Sequence, residues 1–176
     1  FDNIAHDWLM ENIPMDRSVL AQFLKAGYIF EETLFPTDQG TPQGGIISPI
    51  LANMTLDGIE ELLAARFPGM KVHFIRYADD FLVTVPTKET AEEVRDVIQE
   101  FLAERGLELS MEKTVITHIN EGFDFLGYKF RKYNGKLLIK PSRKSIEAIT
   151  DKIRKVMRKA QAWTQDALIK ALNPII

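Results

Sequence analysis

Asp79 and Asp80 stand side by side between two β-type runs, Lys71 to Tyr77 and Phe81 to Val85. This pattern is a hairpin with acids at its tip. Two adjacent carboxylates repel each other, and a divalent cation lying against them removes the cost. A pair of hard cations about 3.5 to 4 Å apart, held by such acids, serves phosphoryl or nucleotidyl transfer. Asp-Asp by itself is common in solvated turns. In Tyr77-Ala78-Asp79-Asp80-Phe81, flanked by Phe74-Ile75-Arg76 and Leu82-Val83, the metal-binding reading prevails. The chain has no cysteine, which excludes disulfides, thiolate zinc sites and thiol nucleophiles and leaves carboxylates as the leading chemical groups. His6, His73 and His118 are too scattered to suggest a metal site.

At 176 residues with 45% apolar content, the chain has enough material for a buried core in one domain plus a small appendage. No run approaches the roughly 18 to 20 apolar residues of a membrane span, and no signal peptide opens the chain. A bacterial-type cytoplasmic location and no membrane partner are expected. The net charge of −3 conceals a division. From Tyr128 onward thirteen Lys and Arg face three acids, a net of +10, whereas the first 127 residues carry a net of −13. A short basic run is usually a solvated helix face. An asymmetry this large marks a surface for phosphates.

Apolar spacing predicts helices over Asn3–Glu11 and Arg17–Lys25, joined by a turn at Pro14, and β structure over Tyr28–Phe35. The Gly- and Pro-rich stretch Pro36–Gly45 predicts a loop or hairpin arm. A helix is expected from Ser48, as N-cap, to about Arg66, and another from Thr87 to about Glu104. Short strands follow near Leu107–Leu109 and Val115–His118, then a hairpin over Phe123–Lys140 turning at Asn134-Gly135. A basic amphipathic helix runs from Ser142 to about Ala162, with a further helix starting at Thr164 or Gln165. The fold class is α+β: an antiparallel core sheet with packed helices in residues 1–140, then a helical segment in 141–176.

Several segments in order resemble the group II intron reverse transcriptases, also called maturases. They are Phe1-Asp2-Asn3-Ile4 with His6, the run Pro42-Gln43-Gly44-Gly45-Ile46-Ile47-Ser48-Pro49-Ile50-Leu51-Ala52-Asn53, and Tyr77-Ala78-Asp79-Asp80. Leu109-Ser110-Met111-Glu112-Lys113-Thr114, Gly122-Phe123-Asp124-Phe125-Leu126-Gly127 and Leu172-Asn173-Pro174-Ile175-Ile176 follow. Any one would be weak; their shared order is specific. The resemblance implies a polymerase palm followed by the start of a thumb. It implies RNA-directed DNA polymerisation with an RNA template, a DNA primer and deoxynucleoside triphosphates, and group II intron RNA as a partner. It also implies two Mg²⁺ ions, with Mn²⁺ as a substitute. A third metal-binding Asp is expected about five residues upstream of Phe1, so the 176 residues alone are expected to polymerise poorly. The oligomeric state is not legible.

Residue by residue, the resemblance makes Asp79 the principal metal ligand, with Asp80 a weaker ligand or an electrostatic support. Phe1 sits under the sugar of the incoming nucleotide and disfavours a 2′-hydroxyl. Gln43 and Gly44 lie near the nascent base pair, and Ala78 leaves room for the primer end. Tyr77 packs beside the nucleic acid or in the core. Lys113 reaches the leaving pyrophosphate as a general acid. Phe125, Leu126, Gly127 and Tyr128 form a primer grip. Lys144, Lys152, Arg154, Lys155, Arg158 and Lys159 face the duplex, while Ile146, Ile149, Ile153, Val156 and Met157 form the inward side of that helix. Asn53 is read as structural. Two other classes compete: an RNA-binding maturase or chaperone module without polymerase activity, and a two-carboxylate metal hydrolase. The first has no need of these carboxylates, and the second does not account for the motif order.

Overall fold

The computed structural model describes residues 3–30, 33–35, 40 and 47–176, with side chains outside 28–30 and 33–35. The expected nucleotide contacts Phe1, Gln43 and Gly44 lie outside the described residues. Among the described residues the chain forms helices and small antiparallel sheets, a mixed α+β architecture. It divides into two compact units, Phe1–Ile116 and Thr117–Ile176.

In the first unit, α1 (His6–Asn12) and α2 (Arg17–Lys25) are joined by the turn at Pro14. Asp16 caps α2 by accepting from the backbone N–H of Ser18 and Val19. These bonds, led by the Ser18 hydroxyl, hold its carboxyl below the usual Asp range. Strands β1 (Tyr28–Phe30) and β2 (Thr33–Phe35) pair antiparallel. The helix expected from Ser48 to Arg66 is two helices. α3 (Ser48–Thr55) and α4 (Ile59–Arg66) are separated at Gly58, whose φ of 91° is left-handed. Apolar periodicity continues across that break, so periodicity alone could not reveal it. α3 also starts one residue early: Ser48 is its first residue and Ile47 its cap, without a side-chain cap bond.

Each of these helices buries its apolar face in a different cluster. Leu51 and Ala52 of α3 pack with Leu9, Leu20 and Leu24 of the N-terminal helices and with Ile4 and Ile13, which flank α1. Ile59 and Leu63 of α4 pack with Val94, Ile98, Phe101 and Leu102 of α5 (Lys88–Ala103), whose N-cap is Thr87. Leu107 touches both clusters. The stretches 107–109 and 115–118 are not strands. The Leu109 N–H bonds to the Gln99 side chain at 2.9 Å, so its donor is satisfied without a ladder.

The hairpin of β3 (His73–Tyr77) and β4 (Asp80–Thr84) lies on the second cluster. Alternation divides its side chains. Val72, Phe74, Phe81, Val83 and Val85 pack inward, whereas His73, Tyr77, Asp80 and Thr84 are exposed. The inward Phe74 and Phe81 rings meet at 5.6 Å. The expected core sheet is therefore represented, among the described residues, by separate small sheets.

In the second unit β5 (Phe123–Phe125), β6 (Tyr128–Tyr133) and β7 (Lys136–Pro141) form a three-stranded antiparallel sheet. The β6–β7 turn is Asn134-Gly135, both at positive φ, as a type I′ hairpin demands. Cross-strand partners Phe123 and Phe130 stack at 5.4 Å. α6 (Arg143–Lys159) begins at the Ser142 cap, and α7 (Gln165–Leu172) begins at Thr164. α6 is amphipathic as expected, but its apolar side is only half-buried at best: Ile146, Ile149 and Met157 are exposed.

Candidate functional site

Ala78 and Asp79 are the two central residues of the β3–β4 turn, closed by the pairing of Tyr77 with Asp80. Ala78 has φ 54°, the left-handed region. Asp79 lies in the turn and Asp80 on the outward face, next to Tyr77, which is 66% exposed. Both carboxylates are open to solvent. Tyr77 belongs to that open face and not to the core.

Mg²⁺ takes one or two carboxylates from a protein and completes its octahedron with water and phosphate oxygens. Two adjacent exposed carboxylates fit that demand. No group of three or more His, Cys, Asp or Glu able to hold a metal occurs among the described residues.

Arg76 was not among the expected site residues, yet it is the side chain most closely tied to this turn. Its Nη1 donates to the Ala78 carbonyl at 3.2 Å and to Asn53 Oδ1 on α3 at 3.0 Å. The sequence carries a signal for it: a charge occupies a position of the alternation that is otherwise apolar, after Val72 and Phe74. Asn53, read as structural, is the other half of this contact.

Lys113 is exposed, on a turn closed by bonds from its own N–H and that of Thr114 to the Ser110 carbonyl. The expected primer-grip residues span the β5–β6 turn. Leu126 and Gly127 are its central residues, at φ 48° and 80°. The Gly127 carbonyl accepts from the Ser142 N–H at 2.8 Å and from Ser145 Oγ at 2.9 Å, which docks the turn on the start of α6. A Cβ on Gly127 would lie 3.0 Å from Ser145 Oγ, so local packing already calls for glycine there. Leu126 and Tyr128 are exposed and Phe125 is half-buried. On α6, Lys144, Lys152, Arg154, Lys155, Arg158 and Lys159 are all exposed, and Arg154 meets Asp151 at 3.3 Å. Arg154, Lys155 and Arg158 line one shallow surface depression with Asp151. No helix among the described residues is long and apolar enough to cross a membrane.

Residues 1–130 match the reverse transcriptase (RNA-dependent DNA polymerase) family, and the chain belongs to that family. Within it, the chain falls with the group II intron-encoded proteins. It is 26% identical to the group II intron-encoded protein LtrA of Lactococcus lactis subsp. cremoris, over 93% of this chain and 41% of that protein. It is 31% identical to protein YkfC of Escherichia coli (strain K12), over 73% of this chain and 44% of that protein. A putative COX1/OXI3 intron 2 protein of Saccharomyces cerevisiae is 26% identical, over 73% of this chain and 22% of its own length. The chain spans less than half the length of each of these relatives.

Proposed function

We propose that this chain supplies the palm (residues 1–140) and the start of the thumb (141–176) of an RNA-directed DNA polymerase of the group II intron type. The full protein would extend a DNA primer on an RNA template from deoxynucleoside triphosphates, in the bacterial cytoplasm, and would assist splicing and mobility of its intron RNA. One observation carries the reading: in a chain of the reverse transcriptase family, two adjacent carboxylates stand exposed at a hairpin tip, Asp79 in the turn and Asp80 on the outward face.

Asp79 and Asp80 are the residues that would hold Mg²⁺, Asp79 from the turn and Asp80 from the outward face. Bound there, two Mg²⁺ ions would activate the primer 3′-hydroxyl and neutralise charge on the leaving pyrophosphate. Ala78 leaves space for the primer end because its side chain is a single methyl. Tyr77 offers an exposed ring beside the acids for stacking on nucleic acid. Lys113 would donate a proton to the departing oxygen. The β5–β6 turn would hold the primer backbone through Leu126, Gly127 and Tyr128, with Phe125 anchoring it. The exposed basic residues of α6 would neutralise duplex phosphates. Phe1, Gln43 and Gly44 complete the nucleotide site by resemblance.

The test is Mg²⁺-dependent extension of a DNA primer on an RNA template by the natural full-length protein. Asp79→Asn should lower kcat by at least about 100-fold while leaving template–primer affinity within about threefold. RNA binding without any extension by the unsubstituted protein would replace this reading with the RNA-chaperone one.

A further inference from the structure

Arg76 is the one charge in an inward row that is otherwise apolar. Val72 and Phe74 precede it on the same face, and the partners of Phe74 and Arg76 across the hairpin are Val83 and Phe81. All four apolar residues pack on the α4–α5 cluster. Arg76 lies beyond them, a half-buried residue whose Nη1 donates to Asn53 Oδ1 on α3 and to the Ala78 carbonyl oxygen of the turn, both bonds at the exposed surface. Ala78 adopts φ 54° without being glycine, a conformation that L residues rarely take. Such a turn persists only where its surroundings hold it. A cation beside metal-binding carboxylates opposes the metals electrostatically. Charge alone therefore gives no reason for arginine here, whereas a planar donor group that can reach two acceptors does.

Resting on the polymerase reading above, the geometry points to Arg76 as a positioning residue. Anchored by Asn53, it fixes the Ala78 carbonyl and with it the turn that aims Asp79 and Asp80, and it touches neither nucleotide nor primer. Asn53 is an exposed residue of α3, whose neighbouring Leu51 and Ala52 sit in the N-terminal cluster, so the contact also ties the carboxylate hairpin to a helix of the second core.

The experiment uses the natural full-length protein with Asn53→Ala, Asn53→Asp, Arg76→Met and the Asn53→Ala/Arg76→Met double variant. In primer extension on RNA, Asn53→Ala and Arg76→Met should each lower kcat about tenfold, with KM for nucleotide and for template–primer within about twofold. Asn53→Asp keeps an acceptor and should stay within about threefold of the parent kcat; the double variant should lose no more than the more impaired single variant. Amides of residues 76–81 should exchange with deuterium faster in both single variants, a readout that requires no polymerase activity. A raised KM with kcat retained would make Arg76 a substrate contact and overturn the proposal. Unchanged exchange in both variants would overturn it as well. If Asp79→Asn extends primers as the parent does, the polymerase reading fails, and the exchange measurement still decides whether Arg76 and Asn53 hold the turn.

Discussion

Replacing Gly106 with alanine separates two effects that glycines usually confound. Gly106 follows the end of α5 at φ 73°, and there the chain runs beneath the N-terminal segment, with the Ala5 N–H donating to the Arg105 carbonyl at 3.0 Å. A Cβ at this position would lie 2.7 Å from the Asn3 carbonyl oxygen and 2.9 Å from the Ala5 nitrogen, both backbone atoms with little room to yield. Left-handed strain for alanine contributes about 1–2 kcal/mol, and overpacking against fixed atoms adds about 1–3 kcal/mol. Gly106→Ala should therefore cost about 2–5 kcal/mol. Gly69 supplies the control: its φ is 74° and an added Cβ would meet nothing within 4 Å, so Gly69→Ala should cost only the strain, about 1–2 kcal/mol. Trp8 stands beside Arg105 in the first unit and Trp163 lies in the second. In a Trp163→Phe background, urea unfolding followed by Trp8 fluorescence reports the affected region. Losses equal to within about 0.5 kcal/mol for the two glycine variants would refute the steric argument.

Lys113→Ala should lower kcat by about 100-fold with little change in template–primer affinity if the ammonium acts as an acid; equal losses in kcat and binding would reduce it to a phosphate contact. Asp16 has a depressed carboxyl pKa, so its contribution to stability is present above the ordinary value of 3.8 and is lost as pH falls through the lower folded value. The urea midpoints of the parent and Asp16→Ala should accordingly converge as the solution is acidified below pH 3.8. Lys155→Ala should weaken RNA–DNA duplex binding uniformly across sequences and reduce the slope of log affinity against log salt by about 1. An unchanged slope would remove that face of α6 from the interface.

What was legible in the sequence is what local chemistry dictates. Thr87 caps its helix as expected, and Ser142 and Thr164, at or beside expected helix starts, place a capping hydroxyl there too. Asn134-Gly135 specifies its turn because both residues tolerate positive φ. The misses depend on partners remote in sequence. The break at Gly58 follows from α3 and α4 serving different clusters, a fact that periodicity does not encode. A short strand was expected near Leu109, but its N–H is taken by the Gln99 side chain ten residues away. Within the site, the acid pair was readable from its flanks. The Asn53–Arg76 contact, spanning 23 residues, was not.

The passage of the chain from one cluster to the other at Gly58 makes the first unit a body with two hearts. A truncation deep in the N-terminal one, at Leu20 for example, lets α3 settle differently, and Asn53 rides on α3. If Arg76 positions the turn as proposed, the aim of acids outside Leu20's cluster would then shift with it. On the proposed polymerase reading, side chains far from any substrate would thus join the set on which turnover depends, and mutational tolerance would be narrower than the short roster of reactive groups suggests.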